Sequence, residues 1–277
     1  MLFQQGSKKK VFNQCFKKAL QQRIHEIRIE RGGVMQDIYQ INDPGKLLSE
    51  NEYPGRGIIV GKTPDGKQAV AAYFIMGRSK NSRNRVFEED GEDVIIYPAD
   101  ERLVEDPSLI IYKPIRKLGQ ELIVTNGDQT DTVYEGLKAG KTFSEALRSR
   151  CFEPDAPNLT PRISALLSFA EEGDFSYQMS ILKSADAEGT ACNRYTYEYA
   201  PLAGLGHFLH TYEENGNPIP TFQGEPERVM LEDDIDAFTE KIWQSLNADN
   251  KISLYVRYIR LSDGTAQSRM KNRYQRV

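Results

Sequence analysis

Gly57-Ile58-Ile59-Val60-Gly61-Lys62-Thr63-Pro64-Asp65-Gly66-Lys67-Gln68-Ala69-Val70-Ala71-Ala72-Tyr73-Phe74-Ile75-Met76 decides the fold. Gly57–Lys62 and Gln68–Met76 read as short apolar strands, and Thr63-Pro64-Asp65-Gly66 between them has the composition of a turn. Outward from this pair, Val94–Tyr97 reads as a third strand. Leu109–Arg116 and Glu121–Thr125 read as a hairpin around Leu118-Gly119-Gln120. The hydrophobic period then changes, and Thr132–Lys138 reads as a helix ending at Gly140. Thr142-Phe143-Ser144-Glu145 has capping-box spacing, which predicts a helix running to about Arg150. Strands are predicted again at Arg162–Ala170, Ser176–Lys183, Arg194–Tyr199 and Phe208–Tyr212. Glu213–Gly224 is rich in turn residues. Leu231, Ile235, Phe238, Ile242 and Leu246 share one face of a helix whose first turn is acidic. Ile252–Leu261 reads as a late strand, and the last dozen residues as a frayed polar tail.

Strand-helix alternation of the dinucleotide-binding kind is missing, as is any repeat of 20–50 residues. The pattern predicts an α+β fold, a sandwich of two mostly antiparallel sheets covered by helices. Three cysteines (Cys15, Cys151, Cys192) in 277 residues argue against a disulfide framework. No apolar run is long enough to span a membrane, and a cytoplasmic protein is expected.

The net charge of −4 hides an asymmetry. Residues 1–34 carry eight Lys/Arg against two Glu, which leaves the rest of the chain at −10. This basic extension is read as foreign to an acidic body. Codons for Arg31-Gly32-Gly33 can spell a ribosome-binding site, so Met35 is the expected natural start, with residues 35–277 as a single domain. Within the body, residues 53–85 hold seven Lys/Arg and one Asp, while residues 86–107 hold nine Asp/Glu and one Arg. A basic island in an acidic protein favours a small anionic ligand over nucleic acid or a membrane surface.

Four polar segments stand at the ends of predicted strands. In Tyr53-Pro54-Gly55-Arg56-Gly57, glycines flank an arginine and allow close approach to a ligand. Residues 77–85 (Gly-Arg-Ser-Lys-Asn-Ser-Arg-Asn-Arg) pack four cations with no acid among them, and arginine forks match phosphate oxygens. Thr125-Asn126-Gly127-Asp128-Gln129-Thr130-Asp131 leads into a helix start that can hold an anion, or be capped by Asp128 or Asp131. The fourth runs from Glu153 to Thr160-Pro161-Arg162-Ile163. His207 and His210 would point to opposite faces of a strand, which argues against zinc.

Together with Thr211-Tyr212-Glu213, these segments resemble, in order and spacing, the archaeal-type IMP cyclohydrolase family. The resemblance runs from about residue 50 to 225. It implies a four-layer αββα fold like that of N-terminal-nucleophile hydrolases, without a terminal nucleophile. The implied reaction converts 5-formamidoimidazole-4-carboxamide ribonucleotide into IMP and water, with no cofactor required. The implied catalytic residues are Tyr112, Glu153 and Arg85. The implied substrate-binding residues are Arg56, Arg78, Asn84, Asn126, Asp128, Thr130, Asp131 and Arg162. An amide hydrolase on the same fold and a non-catalytic purine-nucleotide binder are the alternatives. A homo-oligomer and an associated transformylase partner are both left open.

Overall fold

In a computed structural model, residues 39–104, 111–170 and 173–276 are described. The expected foreign segment 1–34, with its start at Met35, lies outside them. The chain divides into residues 1–40 and 41–277, and the second unit carries everything that follows.

The quoted stretch is a hairpin of β1 (Arg56–Lys62) and β2 (Gln68–Met76). It forms the middle of a six-stranded sheet. β10 (Leu205–His210) and β11 (Glu227–Met230) extend it on one side, β12 (Lys251–Arg260) and β13 (Ala266–Asn272) on the other. A second sheet has seven strands in chain order: β3 (Val86–Asp90), β4 (Asp93–Tyr97), β5 (Ile115–Leu118), β6 (Glu121–Thr125), β7 (Arg162–Phe169), β8 (Phe175–Ser184) and β9 (Cys192–Tyr199). Every pairing between these strands is antiparallel.

Side-chain alternation along each strand builds the layers. Ile58, Tyr73 and Ile75 from the first sheet meet Val124, Ile163 and Tyr177 from the second in one buried core. Their neighbours on the first sheet, Ile59, Phe74 and Val256, turn outward. There they meet Leu48 of α1 (Pro44–Glu50) and Phe238 and Ile242 of α5 (Ile235–Ser245). On the second sheet, Ile123, Leu166 and Leu182 turn outward against Val133 of α3 (Gln129–Lys138) and Phe143 and Leu147 of α4 (Phe143–Leu147). The order is therefore helix, sheet, sheet, helix, as the resemblance implied. A short capped turn, α2 (Lys80–Arg83), stands apart from these layers.

The structure corrects several sequence expectations. The tail predicted to fray contains β13, an edge strand paired along β12. α4 stops at Leu147 rather than near Arg150, although its capping box is present. α5 starts after Asp234, whose carboxylate caps Ala237, and Leu231 is a buried residue ahead of it. The hairpin expected from Leu109 begins at Ile115 among the described residues.

Candidate active site

Both sheets end in loops at one edge of the sandwich. Arg56 opens β1 opposite Ile75 near the end of β2, while Thr125 closes β6 opposite Ser164 near the start of β7. The intervening loops meet around a cavity of about 220 Å³ lined by Arg56, Arg85, Tyr112, Asn126, Gly127, Asp128, Glu153, Pro154 and Arg162. A larger cavity of about 340 Å³ opens at the other end, beside Gln120, Phe169 and Leu261. Its charged walls include Lys117 paired with Glu92 and Arg260 paired with Asp263. Volume favours that end, but chemistry favours the smaller cavity, where three arginines converge on one space.

Gly55 sets the position of Arg56. Its φ of +79° suits glycine, and a Cβ there would lie 2.2 Å from Thr211 Oγ1. The same hydroxyl accepts from Arg56 N at 3.1 Å. The Arg56 side chain is buried, and its Nε lacks a hydrogen-bond partner among the described residues. Burial opposes its charge, but Glu153 and the Tyr212, Tyr53 and Tyr112 hydroxyls more than offset this and hold the guanidinium above its usual range. Arg85 is buried beside it. Burial and then the charge of Arg56 pull Arg85 downward, though guanidinium stays charged at any ordinary pH.

Asn126 is the keystone of the wall. Its Oδ1 accepts from Ile163 N and Gln129 Nε2, both at 2.9 Å, and its Nδ2 donates to Pro161 O at 2.8 Å. Its carbonyl accepts from the Tyr112 hydroxyl at 2.8 Å. The side chain thus has one amide hydrogen left for a ligand. The Tyr112 hydroxyl also contacts Tyr73 Oη at 3.3 Å. Burial raises the Tyr112 phenol, against the opposing pull of Arg85 and Arg56, so it stays protonated near neutrality.

Arg162 Nη1 donates to Asp128 Oδ1 and Gln129 Oε1, each at 2.7 Å, and stands 4.0 Å from Glu153 Oε1. Arg150 pairs with the same Asp128 oxygen. Burial works against the Asp128 carboxylate, but Arg150 and Arg162 outweigh it and hold the carboxyl below its ordinary range. Asp128 therefore makes no capping bond to α3, although it occupies the N-cap. Glu153 is anchored through its backbone, N–H to Thr160 O at 2.8 Å.

Seven of the eleven residues singled out from the sequence meet at this cavity: Arg56, Arg85, Tyr112, Asn126, Asp128, Glu153 and Arg162. The other four stand outside its lining. Arg78 reaches Asn215 Oδ1 at 2.6 Å and Gly216 O at 2.8 Å and lies over the Tyr53 ring. Asn84 exchanges two bonds with the Asp100 backbone. Thr130 is buried, sharing its hydroxyl with Thr125 Oγ1 and Gly127 O. Asp131 pairs with Arg116 at 2.7 Å. Arg150, Gln129 and Tyr73 were not singled out, and each supports a wall residue. The only signal for Arg150 was a cation three residues before Glu153; Tyr73 looked like any core aromatic. His207 and His210 do face opposite ways. His207 bonds to Tyr177 at 2.6 Å, and His210 packs on Phe208 and Phe222.

Comparison with known proteins bears on the same stretch. The family described as IMP cyclohydrolase-like protein matches residues 53–264. An IMP cyclohydrolase of Methanopyrus kandleri is 29% identical over 182 residues, covering 62% of this chain and 89% of that protein. One from Methanococcus maripaludis strain C7 is 30% identical over 188 residues, covering 60% and 92%. One from Methanococcus aeolicus is 31% identical over 166 residues, covering 58% and 74%. All the loops that build the cavity fall inside the matched stretch, and this chain belongs to the IMP cyclohydrolase-like family.

Proposed function

We propose that this chain is an IMP cyclohydrolase, closing the second purine ring of 5-formamidoimidazole-4-carboxamide ribonucleotide to give IMP and water. One observation carries the reading. Side chains from five separate loops, all within the family match, converge as three cations, one phenol and two carboxylates on a single small cavity.

The reaction is intramolecular. The carboxamide nitrogen attacks the formyl carbon and loses a proton, and the formyl oxygen gains one. The former formamide nitrogen then loses its proton as the hydroxyl leaves as water. Holding the formyl group against the amide supplies much of the acceleration. The remainder comes from stabilising charge on the formyl oxygen and from moving protons.

In this reading Arg56 and Arg85 face the developing oxyanion from a buried wall, where a fixed charge acts most strongly. Arg162 steadies the ribonucleotide, its fork held by Asp128 and Gln129. Tyr112, kept protonated by burial, turns its one hydroxyl proton from the Asn126 carbonyl to the departing oxygen. Glu153, beside Arg162, accepts the proton from nitrogen. Asn126 shapes the wall more than it contacts substrate, since most of its bonding capacity is used within the protein. A separate transformylase supplies the formylated substrate, and we place the reaction in the cytoplasm. Among the described residues, no helix is long and apolar enough to cross a membrane.

The direct test is absorbance-monitored turnover of the purified chain with the formylated ribonucleotide. IMP formation is expected. Binding of the nucleotide without IMP formation would make the chain a sensor instead, and no binding would overturn the reading.

A further inference from the structure

The segment between α4 and Glu153 carries Cys151, an exposed free thiol directly after Arg150. Cys192, also free and half-buried, opens the edge strand β9 and packs against the outer core of Ile123, Val133 and Leu166. The two are distant in sequence, yet one side chain ties them together. Arg194 donates from Nη1 to Cys192 O at 3.1 Å and from Nη2 to Cys151 Sγ at 3.4 Å. The same Nη2 reaches Arg150 O at 2.8 Å. The Cys192 Sγ donates to Asn193 O at 3.5 Å, and Cys151 and the Phe152 backbone stand near enough to bear on the ionisation of that thiol.

We propose that Cys151 and Cys192 form a thiol modification site that closes a reversible disulfide when a small-molecule disulfide, such as oxidised glutathione, is presented. Cys151 is the exposed attacking thiol and Cys192 the sheltered resolving one. The Cys151 sulfur attacks one sulfur of the oxidant, forming a mixed disulfide and expelling the first glutathione thiolate. The Cys192 sulfur then attacks Cys151 and expels the second. Two electrons pass to the oxidant, and the two cysteine protons end on the released thiols. Arg194 keeps a cation against the attacking sulfur. Burial raises the Cys192 thiol, with Arg194 opposing, so Cys192 keeps its proton until Cys151 has reacted. A bond of about 2.05 Å needs the two side chains, already gathered around Arg194, to rotate toward each other.

The bond would pin residues 150–153 to β9. Arg150 holds Asp128, and Glu153 lines the cavity, so the site is coupled to catalysis through two neighbours on one segment. This consequence rests on the cyclohydrolase reading; the cross-link does not.

The test uses the full chain in a Cys15→Ser background, equilibrated with graded ratios of oxidised to reduced glutathione, alkylated and peptide-mapped. A Cys151–Cys192 cross-link should be the dominant product, and Cys192→Ser should instead accumulate glutathione on Cys151. A stable glutathione adduct on Cys151 with Cys192 intact, or no reaction at strongly oxidising ratios, would overturn the proposal. Turnover on the same samples should fall several-fold with cross-linking and return on reduction. Cross-linking with unchanged turnover would refute the coupling. Absence of turnover in the fully reduced chain would refute the cyclohydrolase reading and leave the mapping result standing.

Discussion

At the scale of the residue, Tyr112 shows how burial selects a role. Its hydroxyl is fixed between Tyr73 and the Asn126 carbonyl, and its phenol is held in the protonated form. If it delivers a proton to the leaving oxygen, Tyr112→Phe should lower kcat by about 100-fold or more, the usual reach of a positioned acid. The fold should lose only about 1 kcal/mol, one hydrogen bond's net worth. Turnover with a urea midpoint separates the two, and an unchanged kcat would remove Tyr112 from the mechanism. Gly127 offers a steric test. A Cβ there would lie 2.6 Å from Arg162 Nη1 and from Gln129 Oε1, both ends of flexible side chains. Gly127→Ala should leave the backbone in place and push the Arg162 fork aside. Losing one charge-assisted bond to substrate, about 1.5–3 kcal/mol, would reduce kcat/KM roughly 10- to 100-fold. Steady-state kinetics with wild-type thermal stability is the expected pair of results; wild-type kcat/KM would show that Arg162 does not need that fork. The same residues explain what the sequence made legible. It located four of the five loops of the candidate site, because an arginine or amide beside glycine or proline at a strand end is a local signal; the loop of Tyr112 reads as a strand, and only the family resemblance pointed to that residue. It did not separate Arg85 from Arg78, or Asp128 from Asp131. Neighbours in one loop point in different directions, and only the packed chain shows that Asp131 turns to Arg116 while Asp128 turns to Arg162.

At the scale of the element, α4 shows local and tertiary forces acting together. Its five residues are too few for independent stability. It persists through its capping box and through burial of Phe143 and Leu147 on the second sheet. Thr142 N donates to Glu145 Oε2 at 2.9 Å, and Glu145 N returns to Thr142 Oγ1 at 3.3 Å. Thr142→Ala should cost about 1 kcal/mol. The urea midpoint should fall with an unchanged slope, and turnover should stay within about twofold, because the cap is exposed and outside the cavity. A changed slope would mean that the variant altered the compactness of a state rather than one helix end. This capping box was legible in four residues. β13 was not, because its side chains are partly or fully exposed and mostly polar, with Met270 alone packing against the core, and its reason for being a strand is the edge of β12. β3 begins with buried Val86 and Phe87 and then runs into the acidic Glu88-Glu89-Asp90. Composition marks that stretch as a loop, while pairing with β4 makes it a strand. Elements that bury a face announce themselves in the sequence, and elements held by a neighbour's backbone do not.

At the scale of the whole molecule, the space between the sheets does two jobs. At one edge it opens into the charged cavity, and further in it closes over an aromatic core. Part of that core is polar. Tyr177 Oη meets His207 Nδ1 at 2.6 Å, and the His207 ring stacks on Tyr199 with centroids 3.6 Å apart. Burial, reinforced by the charge of Arg228, depresses the His207 imidazole to about 4. In the unfolded chain it would titrate near 6.5. Between those values the unfolded state binds more protons than the folded one, so stability from this group rises with pH across the window. It is fully present above about pH 6.5, is lost progressively as pH falls toward 4, and is lost no further below. The loss is at most about 3 kcal/mol, less wherever water reaches the ring. Carboxylates lose their own contributions in acid, so wild type alone cannot isolate the histidine. His207→Gln can, because it keeps a hydrogen-bonding group opposite Tyr177 and removes the titration. Urea unfolding of both proteins at several pH values should find wild type ahead at pH 7, its advantage shrinking steadily toward pH 4. An advantage that stays constant across that range would mean that His207 is not buried in its neutral form, and that the two sheets do not seal this part of the core from water.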